Sequence, residues 1–171
     1  ELARRYVSEG ADELVFLDIT ATVEKRKTLV DLVKNISKEI DIPFTVGGGI
    51  NCVEDVESII SAGADKVSIN SSAVKRPKLI REIADRFGSQ CVVLAIDTKF
   101  IDNEWIVFVN GGRTATELRT TSWAKTVTEL GAGEILLTSM NNDGTKDGFA
   151  LPIVEEVSEL VNVPVIASGG A

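Results

Sequence analysis

Ile42-Pro43-Phe44-Thr45-Val46-Gly47-Gly48-Gly49 and Val163-Pro164-Val165-Ile166-Ala167-Ser168-Gly169-Gly170 follow one pattern: a proline, a short β-branched run and closing glycines, with the prolines 121 residues apart. The same separation of 121 residues relates Gly10-Ala11-Asp12-Glu13-Leu14 to Gly131-Ala132-Gly133-Glu134-Ile135. Chance readily supplies one Gly-Ala pair, but two separate blocks in one register point to an internal duplication. Gly63-Ala64-Asp65-Lys66-Val67 repeats the second block once more, so one helix-to-strand connection is used three times.

Around these blocks strand and helix patterns alternate. The spacing predicts strands at Leu14 to Ile19, Phe44 to Val46, Lys66 to Asn70, Val92 to Asp97, Ile135 to Ser139 and Val165 to Ala167. Helical periodicity runs through Leu29, Leu32, Val33, Ile36 and Ile40, through Val53, Val56, Ile59 and Ile60, and through Leu79, Ile80, Ile83 and Phe87. It returns in Trp123, Val127 and Leu130, then in Ile153, Val154 and Val157. Strands of continuous apolar character, each followed by a helix, predict a parallel sheet covered by helices. Ile101 to Val109 breaks the rule, with Asp102-Asn103 as turn chemistry, and predicts an inserted antiparallel hairpin.

Two β/α halves of about 120 residues imply a whole near 240, close to the ~250 residues of an eightfold barrel. The expected fold is therefore α/β: a (β/α)8 TIM barrel, incomplete here, with about strands 2 to 7 and an internal half-barrel duplication. Residues 1–171 are expected to form a single partial barrel domain. Glu1 to Val7 reads as the middle of a helix, and Val165 to Ala171 as a strand with an unused glycine turn. A piece of a larger domain is the expectation.

Composition narrows the chemistry. With 26 acidic and 18 basic side chains the net charge is −8, which leaves no whole-surface footprint for a phosphate backbone, so no nucleic-acid partner is expected. Two cysteines and no histidine remove a disulfide framework, a cysteine-rich zinc site and the commonest general base. No metal or cofactor is expected, and the chemistry must run on carboxylates, amides, lysines or backbone groups. No apolar stretch approaches the ~18 residues of a membrane span, and the N-terminus lacks the order of a signal peptide. A cytoplasmic protein without a membrane partner is the expectation.

Gly47-Gly48-Gly49 and Ser168-Gly169-Gly170 each close a strand, and glycines there let several N–H groups approach one anion at the start of a helix. Duplicated turns suit a substrate with two phosphates, although glycines also serve merely as tight turns. Asn70-Ser71-Ser72 and Asp143-Gly144-Thr145 add donors at the same rim, or act as caps and turns. Asp97 and Asp18 end apolar runs, where a barrel strand points a carboxylate into the mouth and partial burial tunes it for proton transfer. Asp97 is the general acid/base candidate, with a capping or loop role as the alternative. Glu13, Lys66 and Glu134 stand at strand starts, where such charges ordinarily form stabilising salt bridges.

Several blocks together resemble the cyclase subunit of imidazole glycerol phosphate synthase: Phe16-Leu17-Asp18-Ile19-Thr20-Ala21, Pro43 to Ile50, Gly63 to Asn70, Val93 to Asp97, Gly131 to Ser139, Asp143-Gly144-Thr145-Lys146 and Ile166 to Ala171. The resemblance runs through the whole chain. It implies a barrel enzyme of histidine biosynthesis that receives ammonia from a partner glutaminase subunit in a heterodimer. That ammonia condenses with a ribulosyl aminoimidazole carboxamide bisphosphate, closing an imidazole ring and releasing an aminoimidazole carboxamide ribotide. Asp97 matches one of the family's two acid/base aspartates, and the other, on the first strand, has no counterpart here. Gly49, Asn70 and Ser71 match one phosphate site, while Asp143, Gly144, Gly169 and Gly170 lie where the other half of the substrate binds. The family's phosphate donors on the eighth strand are likewise absent. Glu13, Lys66 and Glu134 match three of four charged residues gating ammonia, the fourth being an absent arginine, and Asp65 matches the glutaminase-facing surface.

Two local departures stand out: Asn141-Asn142 replaces a common Asp-Arg, and Asn110-Gly111-Gly112-Arg113 a common His-Gly-Gly-Arg. Two other readings compete. The related sugar isomerase of the same pathway would carry Asp where Ser139 stands, and a non-catalytic fragment would associate through open strand edges.

Overall fold

Each β-branched run quoted above becomes a strand, and each apolar stripe a helix laid against it. The structure, a computed structural model, describes residues 1–18 and 23–171, with only the backbone of 23–28. It divides into two compact units, Glu1–Ile69 and Asn70–Ala171. The first unit contains α1 (Leu2–Ser8), β1 (Leu14–Leu17), α2 (Val23–Ser37), β2 (Phe44–Gly47), α3 (Val53–Ser61) and β3 (Lys66–Ile69). Its three strands pair in parallel, with Leu14 beside Phe44 and Thr45 beside Lys66. Val33 of α2, Val46 of β2, Val56 of α3 and Val67 of β3 are fully buried, so the periodic positions form its core. α3 begins where Asp55 accepts the Asn51 and Cys52 amides at 2.8 and 3.3 Å, satisfying N–H groups that have no partner within the helix. The Leu2 and Tyr6 stripe of α1 is exposed. α2 stops three residues before Ile40. Ile19, Thr20 and Ala21, part of the expected first strand and its motif, lie outside the described residues.

The second unit runs α4 (Ser71–Lys75), α5 (Lys78–Phe87), a 3-10 turn (Ser89–Cys91), β4 (Val92–Ile101), β5 (Glu104–Val109), β6 (Thr114–Arg119), α6 (Thr120–Glu129), β7 (Glu134–Ser139), α7 (Leu151–Leu160) and β8 (Val165–Ser168). β4, β7 and β8 are parallel neighbours, while β4, β5 and β6 form an antiparallel excursion. Leu79, Ile80 and Ile83 of α5, Leu94 and Ile96 of β4, Ile135 of β7 and Ile153 of α7 are completely buried. The hairpin turn falls on Asp102 and Asn103, both at positive φ (49° and 66°), as a type I′ turn requires.

Two differences from expectation have physical causes. β4 continues past Asp97 to Ile101 because the hairpin partner β5 supplies ladder bonds beyond the parallel sheet. β6, Thr-Ala-Thr-Glu-Leu-Arg, has no apolar run to announce it. It is a strand only because β5 pairs with it across an irregularity between Ile106 and Phe108. The excursion is anchored inside by Thr98 Oγ1, 2.5 Å from Thr120 Oγ1 and 3.2 Å from the Ile106 carbonyl.

The duplication is visible in the hydrogen bonds of each unit. Three helices end alike: Gly10, Gly63 and Gly131 all have positive φ. Each donates three residues back, to Val7, Ile60 and Thr128, and the following alanine donates five back, to Tyr6, Ile59 and Val127. This is the Schellman geometry that glycine permits. The Leu14 amide donates to the Pro43 carbonyl at 2.9 Å, and 121 residues on Ile135 donates to Pro164 at 3.0 Å. A Cβ on Gly48 would sit 2.0 Å from the Asp18 carbonyl oxygen, and one on Gly169 would sit 2.6 Å from that of Ser139, the equivalent position. The fold class is α/β, an incomplete (β/α)8 barrel with duplicated β/α repeats. Among the described residues no helix is long and apolar enough to cross a membrane.

Candidate active site

Side chains alternate across a strand, so residues in one row of a parallel sheet share a face. In the second unit one row holds Asp97 of β4, Thr138 of β7 and Ser168 of β8, all half-buried near the carboxyl ends of their strands. Two residues back on the same face come Ala95, Leu136 and Ile166, and further back Val93 beside Glu134. A single face therefore leads from Glu134 to Thr138, about 13 Å of strand.

Asn70 comes directly after β3 at the position of a helix cap, yet its side chain does not cap α4. The carboxamide turns instead to Asp97, donating from Nδ2 to Oδ2 at 3.0 Å. Burial holds the Asp97 carboxyl above its ordinary range, the Asn70 bond pulls the other way, and the negative charge of Asp143 adds to the rise. Asn70 Oδ1 is buried and has no hydrogen-bond partner among the described residues. Ser71 Oγ accepts the Asn110 amide at 2.8 Å, which leaves its own proton to donate elsewhere.

Asp143 and Gly144 lie on the exposed loop after β7, and Gly169 and Gly170 follow β8 at positive φ. These two segments meet. The Gly148 amide donates to the Gly170 carbonyl at 2.8 Å, and a Cβ on Gly170 would fall 2.0 Å from the Gly148 oxygen. Asp97, Asn70, Asp143 and the Gly169–Gly170 turn thus belong to one unit, as does Glu134 at the opposite end of β7.

The first unit holds the other candidates. Gly48 and Gly49, at positive φ, close β2 ahead of α3, and with Asp18, Ile50 and Asp55 they line a small cavity. At the amino-terminal strand ends Lys66 Nζ lies 2.8 Å from Glu13 Oε1, and Thr45 Oγ1 donates to the same oxygen at 3.2 Å. This ion pair is largely shielded, with 18% and 29% of the two side chains exposed. Asp65 is exposed, and its Oδ2 accepts the Phe44 amide at 2.8 Å.

Thr138 carries no motif in the sequence, and Ser168 enters there only as the first residue of the Ser168-Gly169-Gly170 turn. Glu134, Leu136 and Thr138 alternate along β7, but the row exists only because β7 pairs with both β4 and β8.

Parallel strands each followed by a helix, with glycine turns after β2 and β8, define a class: the β/α-repeat proteins of the (β/α)8 barrel type. A family model described as "Histidine biosynthesis protein" matches residues 1–171. Imidazole glycerol phosphate synthase subunit HisF of Flavobacterium johnsoniae is 64% identical over 171 residues, covering all of this chain and 68% of that protein. The same subunit of Flavobacterium psychrophilum is 61% identical over 170 residues, covering 99% of this chain and 68% of its own length. That of an Exiguobacterium species is 56% identical over 171 residues, covering the whole chain and 67% of the protein. The chain belongs to the histidine biosynthesis protein family, within the imidazole glycerol phosphate synthase HisF subunits.

Proposed function

We propose that this chain carries the cyclase chemistry of imidazole glycerol phosphate synthase, with residues 1–171 serving as one partial barrel domain in the cytoplasm. Ammonia delivered by a partner glutaminase subunit attacks a bisphosphorylated ribulosyl aminoimidazole carboxamide. The products are imidazole glycerol phosphate and an aminoimidazole carboxamide ribotide, a lyase-type cyclisation without a cofactor or metal.

The observation that carries this reading is the setting of Asp97. A half-buried carboxyl raised by burial holds its proton more readily than an ordinary aspartate, which suits it to proton transfer. Asn70 fixes one carboxylate oxygen and leaves the other for the substrate. As a carboxylate, Asp97 accepts the proton released by the attacking nitrogen; as the neutral acid it returns a proton to the departing group.

Gly49, Asn70 and Ser71 bind one phosphate, and Asp143, Gly144, Gly169 and Gly170 orient the other half of the substrate. Glu13, Lys66 and Glu134 gate ammonia, and Asp65 faces the glutaminase. The face running from Glu134 past Leu136 to Thr138 and Asp97 supports this assignment, since it links a strand's amino-terminal end to the carboxyl-terminal chemistry. Turnover of the bisphosphate ribotide with an ammonium salt, lost in Asp97→Asn, is the expected result. Absence of turnover in the intact protein, or its survival in the variant, removes the reading.

A further inference from the structure

Asn142 lies on the loop after β7, and its carboxamide works at both ends. Ser139 Oγ donates to Asn142 Oδ1 at 2.9 Å, and Asn142 Nδ2 donates to the Gly148 carbonyl at 2.9 Å. Gly148 in turn donates its amide to Gly170 at 2.8 Å, and the Asn142 Cβ lies 3.2 Å from where a Cβ on Gly170 would be. The chain of contacts therefore runs from the end of β7, through Asn142, to the glycine turn after β8. Asp143 and Gly144 sit inside this closed loop, and the Asp143 amide donates to the Ser139 carbonyl at 2.9 Å.

The chemistry of the bridge is specific. An amide accepts at one end and donates at the other. A carboxylate of the same shape keeps the acceptor but turns a second oxygen toward the Gly148 carbonyl, and a guanidinium has no acceptor for Ser139. Asn141 contrasts with it: its Oδ1 accepts the Phe100 amide at 2.8 Å, a bond that an aspartate makes equally well. Of the two departures, only Asn142 requires an amide.

We propose that Asn142 is a positioning residue, whose carboxamide fastens the Asp143–Gly144 loop to the Gly169–Gly170 turn before the phosphorylated substrate arrives. It need not touch the substrate. It holds two binding segments in register, so that substrate binding does not bear the cost of ordering them. The role in turnover rests on the cyclase reading above; the loop closure itself does not.

The test compares Asn142→Asp, Asn142→Ala and Ser139→Ala with the unaltered intact protein. Amide hydrogen exchange at Gly148 should accelerate about tenfold in Asn142→Asp and Asn142→Ala, and less in Ser139→Ala, with Leu94 and Ile96 of β4 unchanged. KM for the bisphosphate ribotide should rise about tenfold in Asn142→Asp while kcat changes by less than about threefold, because ordering of the bound loop, not the proton transfer, is lost. Unchanged exchange at Gly148 overturns the closure. Faster exchange with an unchanged KM overturns the positioning role. If the unaltered protein turns over no ribotide, the cyclase reading fails, and the inference then stands or falls on inorganic phosphate titrated into the same variants: affinity weakened in step with exchange sustains it, and equal affinity ends it.

Discussion

Asn70 donates to Asp97 across 3.0 Å, joining the first residue after β3 to the carboxylate near the end of the parallel part of β4. The bond stabilises the charged form of a carboxyl that burial pushes toward neutrality. Asn70 therefore trims the proton affinity of Asp97 and fixes which oxygen faces away. Its own buried Oδ1 is left without a partner among the described residues.

Asn70→Ala should move the acid limb of the kcat/KM profile to higher pH. The sign follows from the bond: it favours the carboxylate, and its loss leaves burial and Asp143 to raise Asp97 further. A pH series with ammonium as nitrogen source checks this, and a limb that stays in place or moves down contradicts it.

Asp97→Asn should lower ammonia-dependent turnover by about 10²–10⁴, the usual contribution of a positioned acid/base, with little change in affinity for the bisphosphate. The same variant has a stability signature. Because the folded carboxyl is raised, the native state of the unaltered protein holds its proton more tightly than the unfolded chain. The resulting stability is fully present below the ordinary aspartate range and is lost as pH rises through the raised value. Thermal unfolding should therefore show Asp97→Asn gaining on the unaltered protein as pH rises through that window. A constant difference at all pH values would refute the assignment.

Lys66→Ala should affect glutamine-driven turnover severalfold more than turnover with free ammonium. Lys66 pairs with Glu13 at the amino-terminal ends of their strands. Assays with both nitrogen sources on the assembled complex decide it, and equal losses exclude a gating role.

Gly170→Ala and Gly144→Ala separate backbone strain from crowding. Both glycines have positive φ, 110° and 74°, but a Cβ on Gly144 meets nothing within 4 Å, whereas one on Gly170 falls 2.0 Å from Gly148 O. Gly144→Ala should cost about 1–2 kcal/mol, the left-handed backbone penalty alone. Gly170→Ala should cost more and weaken phosphate binding as the two loops separate. Denaturant melts and phosphate titration provide the comparison; equal costs would show that the close approach is not constraining.

Thr98→Val should lower stability by about 1–3 kcal/mol, since it leaves the buried Thr120 hydroxyl without this partner. A chemical melt measures this, and a neutral substitution would mean that the pair does not anchor the excursion.

Period and repetition alone revealed the β/α order and the duplication, and put Asp97 on β4, although the strand continues past it to Ile101. Burial of an apolar stripe and the Schellman glycines at 10, 63 and 131 are local matters, written into a few neighbouring residues. What tertiary structure decided was everything requiring two distant segments to meet. β6 exists because β5 pairs with it, Thr138 and Ser168 share a row with Asp97 because of sheet register, and Asn70 serves a carboxylate rather than a helix end. The Asn142 amide bridges Ser139 and Gly148, which no local pattern announces. Hydrogen-bond partners and desolvation depend on which groups folding brings within about 3 Å, and sequence spacing carries no record of that distance.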